Sequence, residues 1–160
     1  REHSLDRVAV IDFDVHHGNG TQAAFACDGD LLFGSTHQSP LYPGTGAADE
    51  RGVGNIFNAP LRPQSGSDQF RDAMQSKLFP ALRDFAPQLI LISAGFDAHN
   101  DDPLANLCLF EADYAWVTTE VCRIAAEKCA GRVVSTLEGG YDLNALAASA
   151  AAHVSALMAA

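Results

Sequence analysis

Apolar residues in this chain occur as short continuous runs, separated by longer segments in which they recur at helical spacing. The short runs predict five β-strands, at Val8–Phe13, Leu31–Thr36, Asn55–Ala59, Leu89–Ala94 and Val133–Leu137. Three of these runs are almost entirely apolar, which is typical of strands buried on both faces of a parallel sheet.

The longer segments predict three helices, at Asp68–Phe85, Glu111–Cys129 and Leu143–Met158. The first has one apolar stripe, formed by Phe70, Met74, Leu78 and Leu82. Pro80 predicts a kink or a break near the end of this helix. Because strands alternate with helices, the pattern indicates an α/β fold with a mainly parallel sheet.

Most of the Gly and His residues, with several Asp residues, follow directly after the apolar runs. They lie in the segments DVHHGNG, HQSPLYPGTG, AGFDAHNDDP and EGGYD. In open parallel sheets, ligands bind at the carboxyl ends of the strands. We therefore expect these four segments to form the functional site.

The first segment combines carboxylates and imidazoles. Because side chains alternate between the two faces of a strand, we expect Asp12, Asp14 and His16 to point to the same side. Burying two carboxylates there is costly without a cation, and oxygen with nitrogen ligands suits Zn²⁺ or Fe²⁺. In the alternative interpretation, both Asp residues cap local turns and His16 is a hydrogen-bonded core histidine.

Two later segments supply further candidates. Asp97 follows the fourth strand and completes an Asp, His, Asp ligand set with an open position, although a single Asp here is more typical of a helix cap. In Glu138–Tyr141 the paired glycines permit close backbone approach, so that the Tyr141 hydroxyl is placed to donate to an oxyanion. A packing tyrosine is the simpler alternative for that residue.

Composition narrows the class of protein. The 160 residues fit one domain, 48% of them are hydrophobic, and no window is apolar enough for a transmembrane helix. The net charge of −10 disfavours direct binding of nucleic acid or of an anionic membrane. It favours a cationic substrate or serves solubility alone. The four cysteines lack metal-binding spacing, and we expect a reducing, cytoplasmic location.

Four segments together carry a family resemblance. They resemble motifs of the histone deacetylase and acetylpolyamine amidohydrolase superfamily, in the order IDFDVHHGNGT, SPLYPGTG, SAGFDAH and LEGGYDL. Asn19 in the first motif resembles the residue that is usual in the class II-like branch of this superfamily. The resemblance implies an arginase-like, three-layer α/β fold. It also implies zinc-dependent hydrolysis of N-acyl amides, with an acetyl-lysine peptide or an acetylpolyamine as substrate. It does not imply an oligomeric state.

The same resemblance implies roles for individual residues. Asp14, His16 and Asp97 would bind Zn²⁺ (Fe²⁺ being the alternative metal), and Tyr141 would be catalytic by stabilising the oxyanion. Tyr42 and Gly140 would contact the substrate. Asp12 and Ser35 would hold a structural K⁺ ion.

The family's general base is a pair of adjacent histidines that precedes the zinc motif. His16-His17 does not match that pair, and only Arg1–Val10 lie upstream. We therefore expect residues 1–160 to be the C-terminal part of a single deacetylase domain, inactive alone. The alternatives are a non-catalytic module that binds acetylated amines and a ureohydrolase with two manganese ions.

Overall fold

The computed structural model describes residues 4–160. The strands are β1 (Val8–Asp12), β2 (Leu31–Gln38), β3 (Ile56–Leu61), β4 (Leu89–Ala94) and β5 (Val133–Leu137). The helices are α1 (Asn19–Phe25), α2 (Ser67–Ala73), α3 (Phe79–Phe85), α4 (Glu111–Cys129) and α5 (Leu143–Met158), with a π-helical segment at Met74–Leu78.

The five strands form one parallel sheet in the order β3-β2-β1-β4-β5. The strand β1 lies at its centre, and β3 can carry Pro60 because it is an edge strand. Asp12 pairs in register with Ser35 on β2 and with Ser93 on β4. The polar segments that follow these strands therefore start at the same level of the sheet.

Helices cover both faces of the sheet. Successive side chains of a strand point to opposite faces, so a strand with consecutive apolar residues has apolar side chains to bury on each face. Ala9 and Ile11 face the main core, which packs against α2–α5. Val10 faces a smaller cluster with Phe33, packed against Phe25 of α1. The α/β fold with a parallel sheet flanked by helices is thus confirmed.

Beyond that cluster, the surface of β4 and β5 is less covered. Leu91 is half-buried, while Val134 and Leu137 on β5 are exposed. Both faces of β5 are therefore at least partly exposed in the described residues. A strand at the edge of a sheet lacks a neighbour on one side, so its apolar side chains need further covering elements.

The helix predicted at Asp68–Phe85 is continuous but not uniform. It starts at Ser67, and its middle turn is π-helical, with the N–H of Phe79 donating to the carbonyl of Met74 five residues earlier. The helix therefore does not break at Pro80, and the alternative of a kink stays a prediction. Proline lacks an N–H and its ring crowds the preceding turn, and the π turn lets the helix continue past it.

The remaining differences are small and lie mostly at the ends of elements. β1 ends at Asp12, one residue before the prediction, β2 extends to Gln38, and β3 is displaced towards Leu61. Helix α1 was not predicted from the sequence. It has seven residues, none of them buried, and so it carries no apolar stripe by which the sequence would reveal it.

Candidate metal centre

Asp14 and His16 reach the metal centre through turns, not through strand alternation. The strand has already ended at Asp12, whose Oδ1 accepts a hydrogen bond from the Asp14 N–H at 3.1 Å. Asp14 Oδ1 in turn accepts from the His16 N–H at 2.8 Å. The alternation argument was therefore wrong in its geometry, although it led to the same two residues. Such turns are a common use of Asp side chains.

Asp97 arrives from the end of β4 and is completely buried. Its Oδ1 accepts from the Val15 N–H at 2.9 Å, which ties the two strand ends together. Its Oδ2 lies 3.2 Å from His16 Nδ1, but it is buried without a hydrogen bond among the described residues. That oxygen is an acceptor with an unused lone pair, aimed at the other two side chains.

These side chains form a compact donor set. One ligand atom from each of Asp14, His16 and Asp97 lies within 4.8 Å of the others, and His16 Nδ1 is 3.0 Å from Asp14 Oδ1. Within residues 4–160, this is the one group of three His, Cys, Asp or Glu residues with such spacing. Two carboxylates with one imidazole and an unsatisfied oxygen fit a divalent cation such as Zn²⁺.

The electrostatics also favour a cation. Burial, followed by the charge of Asp14, raises the pKa of Asp97 to about 7. Burial likewise raises the pKa of Asp12 well above its usual range, with Asp14 as the next cause. A group whose ionised form is disfavoured gains most from a positive charge nearby. A metal ion between the ligands would therefore restore the ionised state of Asp97.

Two glycines make room for the ligands. A Cβ at Gly95 would collide with the Asp14 carboxylate, and one at Gly139 would collide with both Asp97 and Asp14. Gly140 has a φ of 145°, and a Cβ there would lie 2.9 Å from Leu146 Cδ1. The glycine pair after β5 therefore allows this turn to close over the metal centre. For Gly140 the structure shows this backbone role.

Tyr141 follows that turn and is half exposed. Its N–H donates to Asp102 Oδ2 at 2.8 Å, which holds the turn in place. Slight burial and then the charges of Asp97 and Asp14 raise the pKa of the phenol. The hydroxyl is consequently protonated at neutral pH and able to donate a hydrogen bond. Sequence reasoning missed Asp102, whose one signal was its place in the AGFDAHNDDP segment.

Tyr42 is brought next to the ligands, but it is 79% exposed. Its ring lies edge-on to His16, with 6.3 Å between the centroids. The loop that carries it is held by His17, whose Nδ1 is 2.7 Å from Thr45 Oγ1. His17 Nε2 is 2.8 Å from Gln22 Oε1 on α1. His17 thus has a supporting role that its place in the sequence did not reveal.

The residues proposed for a K⁺ ion are neighbours by register but differ in their contacts. Asp12 and Ser35 are paired residues of β1 and β2. The Ser35 hydroxyl lies 2.9 Å from His37 Nδ1, whereas Asp12 bonds to the Asp14 N–H. No hydrogen bond joins the two side chains in the described part of the chain. A K⁺ site here stays a prediction.

A small cavity adjoins the metal centre on the side of Asp12. It measures about 200 Å³, and the lining includes Asp12, Asp14, His16, Thr21 and Glu138. Three of the eight lining residues carry carboxylic acids, so the cavity suits a group that donates hydrogen bonds or carries positive charge.

Comparison with known proteins gives a consistent result. The family model of the histone deacetylase domain matches residues 1–157. Histone deacetylase 14, chloroplastic, of Arabidopsis thaliana is 46% identical, and the match covers 99% of this chain and 38% of that protein. A histone deacetylase-like amidohydrolase of Pseudomonas aeruginosa is 44% identical, covering 88% of this chain and 38% of that protein.

Solved structures agree with the sequence comparisons. The crystal structure of the HDA15 HD domain superposes with a TM-score of 0.93 at 36% identity, covering 99% of this chain and 46% of that one. The histone deacetylase Clr3 gives 0.91 at 34% identity, covering 99% and 28%. The chain therefore spans less than half the length of these relatives. Among the described residues, no helix is long and apolar enough to cross a membrane.

Proposed function

The chain belongs to the histone deacetylase domain family, and from this premise we propose that it supplies the metal-binding part of a zinc-dependent N-acyl amide hydrolase. The observation that carries the proposal is the convergence of Asp14, His16 and Asp97, with the buried Asp97 Oδ2 left without a hydrogen bond. Zinc bound there would polarise the acyl carbonyl and lower the pKa of water.

Tyr141 would provide the second part of the chemistry. The protonated phenol of this residue would donate a hydrogen bond to the carbonyl oxygen as negative charge develops on it. Removing such a donor typically lowers the rate by ~10²–10³. The Asp102 carboxylate, which accepts from the Tyr141 N–H, would keep the turn in position.

The proton transfer requires a base that we place outside the described residues. His16 serves as a ligand, and both ring nitrogens of His17 face Thr45 and Gln22. The 200 Å³ cavity beside Asp12 would receive the family's histidine pair, whose N–H groups would donate to this carboxylate. General-base catalysis contributes roughly 10²–10⁴ in rate, so we expect the chain alone to be inactive.

The proposed substrate class, acylated amines, rests on the histone deacetylase family and on the negative net charge of the chain. An acetyl-lysine peptide and an acetylpolyamine both present an acylated amine, and polyamines add positive charges that the chain's net charge of −10 would attract. Tyr42, exposed beside His16, would contact the acyl chain. A cytoplasmic location also remains part of the proposal.

The test is a hydrolysis assay on the protein extended to the full length of the family domain, with an acetyl-lysine peptide and an acetylpolyamine as substrates. We expect zinc-dependent release of acetate and a loss of about 10²–10³ in kcat for Tyr141→Phe, without loss of zinc. Binding of the acetylated amine with no turnover would favour the non-catalytic module. Two metal ions per site would favour the ureohydrolase.

A further inference from the structure

A second cavity lies at the opposite end of the sheet from the metal centre. It measures about 490 Å³ and is bounded by the starts of β2 and β3 and by the helical residues 76–85. Leu32 and Phe57 are the second residues of their strands, whereas the metal ligands follow the carboxyl ends. Nothing in the proposed chemistry uses this cavity.

Two cationic side chains, Arg51 and Lys77, line this cavity. The Lys77 ammonium donates to the carbonyl of Asn58, which fixes it against β3. Within residues 4–160 neither cation has an ion-pair partner, and Asp84 is the one carboxylate among the lining residues. The cavity thus brings together two cations without ion-pair partners in a chain that has twice as many acidic as basic residues.

The cations also destabilise each other. Burial lowers the pKa of Lys77, and the Arg51 guanidinium lowers it further. An anion between the two groups would remove this repulsion and accept charge-assisted hydrogen bonds from both. The remaining wall is mostly apolar, with side chains from Leu32, Val53, Phe57, Pro80, Ala81 and Phe85.

We propose that this cavity binds a small carboxylate anion with an aliphatic tail, held by Arg51 and Lys77 at its head and by the apolar wall along its tail. Sites that combine apolar walls with a few polar groups are typical of small-molecule binding. A bare inorganic anion would leave the wall uncovered. A neutral apolar compound would leave the two cations unneutralised.

The test is a titration of the isotopically labelled 160-residue chain with hexanoate, followed by amide chemical shifts. We expect saturable shifts at the amides of Leu32, Val53 and Ala81, unchanged by added zinc. Hexan-1-ol, which lacks the charge, and inorganic phosphate, which lacks the tail, should each bind at least about tenfold more weakly.

Two variants separate the proposed head group contacts from non-specific attraction. Arg51→Gln and Lys77→Met should each weaken hexanoate binding about tenfold, because each removes one charge-assisted hydrogen bond. Arg62→Gln is the matched control, since Arg62 is an exposed arginine outside the cavity and its loss should change nothing. Equal binding of hexan-1-ol, unchanged binding by both variants, or shifts centred on Asp14 and His16 would overturn the proposal.

Discussion

The backbone N–H of Gly139 donates a hydrogen bond to Asp14 Oδ2 at 2.8 Å, although the two residues are 125 positions apart. This bond joins the turn after the edge strand β5 to a candidate metal ligand that follows the central strand β1. The residue that carries it must be glycine, since a Cβ at Gly139 would collide with both ligand carboxylates.

Gly139→Ala should therefore lower zinc affinity by at least about tenfold, because the methyl group displaces Asp97 or Asp14 and a misplaced ligand loses coordination energy. A competition titration against a chromophoric chelator measures the effect. Gly20→Ala on α1 is the control, since a Cβ there meets nothing within 4 Å. Unchanged zinc affinity in Gly139→Ala would contradict the geometry described above.

Asp102→Ala should loosen the turn that carries Tyr141 without removing a ligand. Asp102 accepts from the Tyr141 N–H at 2.8 Å and from the Leu104 N–H at 2.9 Å. Hydrogen bonds to a charged group contribute about 1.5–3 kcal/mol, so these two amides should exchange with deuterium at least about tenfold faster. Asp101→Ala, on the exposed neighbour, should leave both exchange rates unchanged. Equal exchange in the two variants would show that Asp102 does not hold the turn.

Much of this site could be predicted from the sequence. Each ligand follows an apolar run, and in a parallel sheet the ends of β1 and β4 are adjacent, so Asp14, His16 and Asp97 were expected to meet. Their mutual geometry could not be predicted, because it depends on turns in which Asp12 and Asp14 accept backbone N–H groups. The alternative that Asp12 and Asp14 cap local turns is confirmed, and the Asp14 carboxylate that does so also belongs to the candidate donor set.

The fold was predictable where the pattern was long and regular. The bounds of α4, α5, β4 and β5 agree with the expectation, because their apolar positions recur over whole elements. The π turn before Pro80 and the short helix α1 were not predictable. The π turn depends on how the helix accommodates the missing N–H of Pro80. The helix α1 has no fully buried residue that would give it an apolar pattern.

The free energy of unfolding of the metal-free chain should depend on pH because the pKa of Asp97 is raised in the folded state. Its folded pKa, about 7, lies above its unfolded value, so the folded state binds more protons between the two. The stability that Asp97 contributes through its raised pKa is fully present below about pH 4. It is lost as the pH rises through 7, so the free energy of unfolding falls over this range. Asp97→Asn should stabilise the metal-free chain at pH 8 by up to about 4 kcal/mol and hardly at pH 4. Denaturant unfolding at both pH values measures the difference, and a constant difference would contradict this account.

His37 should make the free energy of unfolding depend on pH in the opposite direction. Burial, followed by the nearby His17, lowers the pKa of His37 from 6.5 to about 4, so the unfolded state binds more protons between these values. Stability should therefore fall by up to about 3 kcal/mol as the pH decreases from 6.5 to 4. His37→Gln retains an amide donor for the Gly46 carbonyl and should lose this component, as unfolding curves of both proteins would show. Parallel curves over this range would refute it.

The zinc content of the purified 160-residue chain tests the central claim most directly. We expect one tightly bound zinc per chain after dialysis against trace metal, none in Asp97→Ala, and an unchanged value in Asp101→Ala. Fe²⁺ should compete for the same single site. Retention of zinc by Asp97→Ala, or two zinc ions per wild-type chain, would contradict the ligand assignment and with it the proposed function.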